Sequence, residues 1–249
     1  MARAIRREAE VARLQSDFVA AVSHEFRSPL TTVRQLAELL DTGRLPTEDR
    51  RHTYYRLISS EAARLQRLVE TLLNFGRIEA GAARYNFADV ETAALVRDVV
   101  HDVESDAPEA TARLELAGPE EGALLQADAA ALGVALRNLI DNAIKYSPGE
   151  PVVRVEWAAE AGRVTIRVID RGLGIPENEQ AAIFRKFVRG QSSVRANVKG
   201  TGVGLAMVRR IVLAHGGQVR LESEVGRGST FTILLPLHRP RPDRERLTA

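Results

Sequence analysis

The sequence predicts two unlike parts, an α-helical hairpin followed by an α/β sandwich. Over residues 1–82 apolar side chains recur every three or four positions, which is the spacing of one face of an α-helix. Over residues 83–238 short β-rich runs alternate with helical segments, and glycine and proline separate them. A chain of 249 residues is long enough for two such domains. Residues 239–249 are charged and contain proline, so we expect a disordered tail.

The first predicted helix continues to residue 41, where the segment TGRLPTEDR interrupts its pattern. One side of this helix carries an apolar seam, which a helix of this length cannot bury without a partner. The seam consists of Val11, Leu14, Phe18, Val22, Pro29, Val33, Leu36 and Leu40.

The second predicted helix begins after Thr47, a suitable N-cap, with Glu48 and Asp49 in its first turn. Gly81 predicts its end. Because a two-helix hairpin with such long seams is rarely stable alone, we expect two copies to form a homodimeric four-helix bundle. The apolar positions of the second helix are Ile58, Ala62, Leu65, Val69 and Leu72.

The remaining elements follow from alternating apolar residues and from helical spacing. Segment 186–201 is rich in glycine, serine, asparagine and basic residues, and we interpret it as a mobile loop over a site. The strands are predicted near 113–117, 123–127, 151–159, 163–170, 217–224 and 229–236, and the helices near 91–104, 129–146 and 203–215.

His24 places an ionisable ring on the first helix, about 120° from the apolar seam and beside Ser28. We expect an accessible imidazole that is largely neutral near neutral pH and therefore nucleophilic. Glu25 falls inside the seam, where an unpaired carboxylate would be costly. Pro29 removes a backbone donor and is expected to bend the helix below His24. The other histidines, His52, His101, His215 and His238, are interpreted as solvated surface residues.

The predicted helix 129–146 carries Asn138, Asn142 and Lys145 on one stripe, away from its apolar side. Asparagine is a poor helix former, so two of them in one stripe indicate a ligand site more than an ordinary polar face. An amide oxygen suits Mg²⁺, and an ammonium suits phosphate.

Asp170 continues the inward phase of the strand VTIRVI and is followed by Gly172 and Gly174. A buried carboxylate needs a donor, which an adenine amino group would supply, and the glycines would let the backbone approach a flat base. A surface aspartate in a turn is an equally open interpretation of this stretch alone.

Glycines at 200, 202 and 204 lead directly into an amphipathic helix, an arrangement that presents free backbone amides to a phosphate. A GxGxG pattern alone is weak evidence. A dinucleotide-binding reading is disfavoured because no buried strand precedes the glycines, and the GxxxxGK[ST] phosphate loop is absent.

Composition excludes several other classes. There is no cysteine, which rules out disulfides and cysteine-ligated metals. The net charge is only +2 and no basic stripe is interleaved with aromatic residues, so nucleic-acid binding is not expected. Apolar runs fall short of the roughly 18 residues that span a membrane, so we expect no membrane segment and a cytoplasmic location, alone or as the cytoplasmic part of an inner-membrane receptor.

Five stretches in order, SHEFRSPL, LRNLIDNAIKYSP, IDRGLGIP, IFRKFVRG and GTGVGLAMVRRIV, resemble the H, N, G1, F and G2 boxes of bacterial two-component sensor histidine kinases. The resemblance covers residues 11–236 and implies a dimerisation and phosphotransfer bundle followed by a GHKL-type ATP-binding domain. It implies ATP and Mg²⁺ as cofactors, autophosphorylation, and transfer of the phosphoryl group to an aspartate of a response regulator receiver domain.

The resemblance also implies a role for individual residues. His24 is the phosphoacceptor, Glu25 assists it as a base or by orienting the ring, Asn142 binds Mg²⁺ and Asp170 reads the adenine amine. Asn138, Lys145 and Tyr146 belong to the same motif as Asn142, and Gly172 and Gly174 to that of Asp170; Phe184, Phe187 and Arg189 lie in the lid, and Gly200, Thr201, Gly202, Gly204 and Leu205 close over the phosphates.

Ser28 departs from the family, which often has threonine or asparagine four residues after the histidine. This puts in doubt the phosphatase activity toward the phosphorylated regulator that the family associates with this position. Two rival functions stay open at this point: a silent scaffold that binds ATP without becoming labelled, and a chaperone- or gyrase-like ATPase that hydrolyses ATP without a phosphohistidine.

Overall fold

The structure is a computed structural model that describes residues 2–42, 47–106, 112–188, 190 and 200–237, with side chains described from residue 12 onward. The predicted tail at 239–249 and most of the predicted loop at 186–201 lie outside these residues. Among the helices that the structure describes, none combines the length and the apolar character needed to cross a membrane.

Two long helices, α1 (Ala2–Asp41) and α2 (Glu48–Glu79), form the predicted hairpin. The Thr47 side chain accepts a hydrogen bond from the backbone N–H of Arg50, which confirms the predicted N-cap. After the last turn of α2, Gly81 adopts a φ of +67°, the left-handed conformation that commonly ends a helix. Helix α1 continues through Pro29.

The apolar seam of α1 from Leu14 to Leu40 is buried or half-buried, as predicted. The seam of α2 differs from the prediction, because Ala62 and Val69 are exposed. A single partner helix covers only one side of α2, so residues on its flank remain open to solvent. In the described part of the hairpin only Glu25 and Pro29 are classed as buried.

The second part is an α/β sandwich, as predicted. Its elements are β1 (Ala88–Glu91), α3 (Thr92–Asp106), β2 (Arg113–Ala117), β3 (Leu124–Ala127), α4 (Ala129–Lys145), β4 (Val152–Glu160), β5 (Arg163–Ile169), α5 (Glu177–Gln180), α6 (Gly204–Ala214), β6 (Gln218–Glu224) and β7 (Gly228–Pro236). The five-stranded sheet has the order β2-β4-β5-β7-β6, with β2 parallel to β4 and the other neighbours antiparallel. The helices α3, α4 and α6 supply most of the other layer of the core.

Strand β1 was not predicted, and it forms because it pairs with β3 in a separate two-stranded sheet. The predicted helix 91–104 therefore starts one residue later, after Glu91. Although burial acts to raise the pKa of Glu91, hydrogen bonds from the backbone N–H groups of Ala93, Ala94 and Gly122 lower it overall. This carboxylate thereby satisfies amides in the first turn of α3.

Candidate active site

A cavity of about 780 Å³ opens on the helical side of the sandwich and extends to the hairpin. Its wall on the α/β side includes most of the residues predicted to hold a nucleotide. Its wall on the hairpin side includes residues of both α1 and α2. The predicted residues that line it are Glu25, Asn138, Asn142, Lys145, Tyr146, Asp170, Gly174, Gly200, Thr201, Gly202, Gly204 and Leu205.

Asp170 lines this cavity just after β5 and is 7% exposed. Its Oδ1 accepts hydrogen bonds from the backbone N–H groups of Gly172 (2.8 Å) and Ser229 (3.1 Å). Neither bond uses Oδ2, which remains available to a donor in the cavity. Burial raises the pKa of Asp170, and the two N–H bonds only partly oppose this effect.

Gly172 and Gly174 allow close contact between backbone segments. A Cβ on Gly172 would lie 2.4 Å from the carbonyl oxygen of Tyr146, and one on Gly174 would lie 2.0 Å from that of Glu224. Gly174 also has a φ of +66°. We expected these glycines to let the backbone approach a flat base. In the structure they instead allow close contact with the backbone at the end of α4 and at the end of β6.

Helix α4 carries the predicted amide and ammonium stripe, and Asp128 caps its start by accepting from the N–H of Ala131 at 2.9 Å. The Nδ2 of Asn138 donates to the carbonyl of Val134 at 2.8 Å. A Cβ on Gly204 would lie 2.7 Å from Asn138 Oδ1, so Asn138 also packs against the start of α6. Asn142 is half-buried and faces the same cavity.

The glycine loop, Gly200 to Gly204, lines the cavity beside the polar stripe of α4. A Cβ on Gly200 would lie 3.0 Å from Lys145 Nζ, so the ammonium reaches this loop directly. Gly202 has a φ of +72°, and its carbonyl accepts from the N–H of Phe187 at 2.9 Å. Helix α6 begins at Gly204 without a side-chain cap, which leaves its first amides available to an anion.

His24 is exposed on α1, as predicted, while Glu25 beside it is 7% exposed. The cost of this buried carboxylate is offset by Arg64 of α2, whose Nη2 lies 3.5 Å from Glu25 Oε2. Ser28 is half-buried, and its carbonyl accepts from the Thr32 hydroxyl at 3.2 Å. Glu25 lines the cavity, but His24 and Ser28 do not, so the structure does not bring the imidazole together with the nucleotide residues.

The two predicted lid phenylalanines have other contacts. Phe184 packs on the core, with its ring centroid 6.3 Å from that of Phe231. Phe187 packs on the hairpin, 4.5 Å from Phe18 and 5.8 Å from Phe75 between ring centroids. Arg189 lies outside the described residues, so its predicted contribution to the site has no structural counterpart here.

Ionic contacts also join the hairpin to the α/β domain. Glu79, at the end of α2, pairs with Lys186 at 2.5 Å and with Arg210 of α6 at 3.1 Å. Arg67 of α2 pairs with Asp106 of α3 at 3.1 Å. Ion pairs thus join the hairpin to the α/β domain at two places along α2.

Sequence reasoning missed residues of the site, and it was wrong about the exposure of one histidine outside the site. Ser229 and Arg64 reach Asp170 and Glu25 from distant parts of the chain, and no local pattern marks them. His215, interpreted as solvated, is 2% exposed: its Nε2 accepts from the N–H of Asp128 at 3.0 Å, and its Nδ1 lies 2.8 Å from the carbonyl of Ile211. His52 and His101 are exposed, as expected, and His238 lies outside the described residues.

Two family models match the chain. The His Kinase A (phospho-acceptor) domain matches residues 14–81, and the histidine kinase-, DNA gyrase B-, and HSP90-like ATPase matches residues 127–239. The chain contains the catalytic core of a sensor histidine kinase. The first match lies within residues 1–82, and the second lies within residues 83–238 except for its last residue. The predicted fold, with its GHKL-type ATPase domain, is confirmed. The domain boundaries stay a prediction.

Relatives of this histidine kinase core include the circadian input-output histidine kinase CikA of Synechococcus elongatus, 33% identical over 94% of this chain and 32% of that protein. The sensor-like histidine kinase SenX3 of Mycobacterium tuberculosis is 33% identical over 92% of this chain and 56% of that protein. Full-length ShkA in complex with AMPPNP has a similar structure, with a TM-score of 0.62 and 32% identity over 89% of this chain and 46% of that one. The chain spans about a third to a little over half the length of these curated relatives.

Proposed function

We propose that this chain is an ATP-dependent protein histidine kinase that phosphorylates His24 and passes the phosphoryl group to an aspartate of a response regulator receiver domain. One observation carries this proposal: a single cavity is shared by the predicted nucleotide residues and by Glu25, the neighbour of His24. The ATP-binding family of the second part supports the choice of phosphoryl donor. The phosphoacceptor family of the hairpin supports the choice of acceptor.

In the proposed reaction a neutral ring nitrogen of His24 attacks the terminal phosphorus of ATP, and the bond to the ADP oxygen breaks. Such transfer needs positioning and neutralisation of charge more than covalent machinery. Asp170 orients the adenine through its carboxylate, while Lys145 and the amides from Gly200 to Leu205 neutralise the phosphates. Because His24 does not line the cavity in this arrangement, the α/β domain must move relative to the hairpin before transfer.

The residues present fit a Mg²⁺ ion that enters with the nucleotide. In the part of the chain that the structure describes, no cluster of three or more histidine, cysteine or acidic residues is arranged to hold a metal. Asn142 lines the cavity and carries an amide oxygen, and Mg²⁺ usually takes few protein ligands together with phosphate oxygens and waters. The ion would neutralise charge on the phosphates.

The proposed active form is a homodimer through the hairpin. The surface of the hairpin carries large exposed apolar residues on both helices, and α2 has no buried residue. A second hairpin would cover these residues in a four-helix bundle. The exposed residues are Val19, Leu30, Leu39, Tyr55, Leu57, Val69 and Leu73. Ser28 offers a hydroxyl near His24, and its part in any phosphatase activity stays a prediction.

The decisive experiment incubates the purified chain with γ-labelled ATP and Mg²⁺. We expect label that is labile in acid and stable in alkali, as for a phosphohistidine, and no label in His24→Gln or Asn142→Asp. His52→Gln is the matched control, because His52 is also an exposed histidine of the hairpin. ATP binding without label would favour a scaffold, and ATP hydrolysis that survives His24→Gln would favour a simple ATPase.

A further inference from the structure

Arg64 of α2 lines the nucleotide cavity and has no role in the proposed reaction as described so far. It projects from α2 into the wall of the nucleotide cavity, on the side where Glu25 of α1 also lines it. Its side chain is 40% exposed, so the guanidinium is accessible while it neutralises a buried carboxylate. Arginine is suited to such a wall because its planar fork can bind phosphate with two parallel hydrogen bonds.

The present partners hold Arg64 loosely. Its Nη2 lies 3.5 Å from Glu25, and its Nη1 lies 3.7 Å from Oε2 of Glu61. Tight charge-assisted hydrogen bonds between such groups are about 2.7–2.9 Å long. The guanidinium is therefore attracted to two carboxylates without being locked to either.

Arg67, one turn further along α2, also lines the cavity but is held differently. It lies 3.1 Å from Asp106, which also binds Arg137 of α4 at 2.5 Å. Arg67 is thus part of an ionic contact between the domains. Of the two arginines, Arg64 is the one that a new anion in the cavity can capture at low cost.

We propose that Arg64 binds the terminal phosphate of ATP when the two domains close, and that it releases Glu25 in doing so. The inference rests on the proposed function and names a further residue for the same reaction. The γ-phosphate carries more charge than one carboxylate and offers several oxygens in the geometry that a guanidinium fits. Exchange of partners therefore favours the phosphate.

Release of Arg64 changes what Glu25 can do. Once Arg64 has left, the carboxylate oxygens of Glu25 are available to accept a proton from the ring of His24. As one ring nitrogen of His24 bonds to phosphorus, the bond from phosphorus to the bridging oxygen breaks and ADP leaves with that electron pair. The proton on the other ring nitrogen then passes to Glu25. Arrival of the phosphate would by this route activate the base only when the substrate is in place.

The first test measures the affinities for ATP and ADP with Mg²⁺ in a His24→Gln background, where ATP is not consumed. Because only ATP carries the γ-phosphate, Arg64→Ala should reduce the preference for ATP over ADP by about tenfold. Affinity for ADP should change by less than about twofold, since Asp170 and the glycine loop are untouched. Arg56→Ala is the matched control: Arg56 is an exposed arginine of α2 that does not line the cavity.

The second test follows labelling of His24 at saturating ATP. Arg64→Ala should slow it by about tenfold to a hundredfold, and Arg64→Lys should restore part of the rate, because the charge returns without the fork. Arg64→Ala leaves Glu25 unpaired and could therefore misfold. In that case the double variant Glu25→Gln/Arg64→Gln removes both charges, and it should also lose the preference for ATP over ADP.

An unchanged preference for ATP over ADP in these variants, together with an unchanged labelling rate, would overturn the assignment of Arg64. The proposed function would survive that result, because the unmodified chain would still become labelled on His24. Absence of label in the unmodified chain would instead refute the proposed function, whatever the affinities of the Arg64 variants.

Discussion

The hairpin and the α/β domain bury apolar surface in opposite ways. In the α/β domain apolar residues of the sheet and of three helices form one core, with Leu136, Leu139 and Ile140 at 0–1% exposure. In the hairpin only Glu25 and Pro29 are classed as buried among the described residues, while Leu73 is 55% exposed. The α/β domain closes its core with residues of this chain alone, whereas the hairpin leaves apolar side chains exposed that a second surface would cover.

This difference assigns different tasks to the two parts. A closed core holds Asp170, Asn142 and Gly204 in fixed positions, as the nucleotide recognition that we propose requires. The open hairpin leaves His24 exposed, and its exposed apolar residues can contact the second copy that we propose. The polar contacts at Glu79 and Arg67 join the parts and can be exchanged more easily than apolar packing.

The largest expected effect concerns the core. Leu139→Ala removes a side chain with 0% exposure and should lower the free energy of unfolding of the α/β domain by about 3 kcal/mol. The single tryptophan, Trp157, lies in β4 and reports on this domain alone in urea titrations followed by fluorescence. Leu73→Ala on the hairpin is the control and should leave this transition within about 0.5 kcal/mol. Equal losses would contradict the contrast between the two parts.

The next effect concerns the open face of the hairpin. Leu73→Asp should weaken dimerisation by about a hundredfold, because a charge would replace an apolar side chain within the bundle. Sedimentation analysis over a range of concentrations measures it. Leu213→Asp in α6 is the matched control, since Leu213 is also 55% exposed but lies in the α/β domain. If Leu213→Asp weakened dimerisation and Leu73→Asp did not, the interface would lie on the α/β domain, which would contradict the proposed dimer through the hairpin.

A smaller effect concerns Asp170. Because burial raises its pKa above the ordinary 3.8, folding is favoured while it is protonated, and this contribution is lost as the pH rises through the raised value. Without nucleotide, Asp170→Asn should therefore be more stable than the unmodified chain near neutral pH, and the difference should vanish below pH 3.8. Urea titrations at several pH values measure this.

The same substitution should weaken ATP binding, because it replaces by an amide the carboxylate that we propose as the acceptor for the adenine amine. A variant that loses stability near neutral pH, or that binds ATP as before, would contradict this account of Asp170. If Asp170→Asn gained stability and lost ATP binding, Asp170 would be a residue that lowers the stability of the fold while it serves ligand binding.

The smallest effect concerns the contact between the parts. Glu79→Gln removes ion pairs with Lys186 and Arg210, which are 51% and 56% exposed, so its cost should be only about 0.2–1 kcal/mol. We expect a larger radius of gyration in X-ray scattering with unchanged affinity for ADP. An unchanged radius would mean that the aromatic contact of Phe187 with the hairpin and the ion pair of Arg67 with Asp106 hold the domains together without Glu79.

Much of the fold could be predicted because its signals are local. Strand β2 matches its predicted range, and most of the other predicted elements agree within two residues, since apolar alternation and capping residues such as Thr47 and Asp128 act over a few positions. Strand β1 could not be predicted, because four alternating residues are too few to indicate a strand by themselves, and they owe their conformation to β3. The exposure of Val69 was likewise set by how many helices surround α2.

For the site, sequence determined which chemical groups are present and in what order: an accessible imidazole, an amide stripe, a carboxylate after a strand and a glycine loop before a helix. Tertiary structure alone decided their partners. It brought Ser229 to Asp170, Arg64 to Glu25 and Phe187 to the hairpin, and it buried His215. Periodicity records which side of an element faces inward, but it carries no information on which distant residue will meet that side, because that depends on the packing of the whole chain.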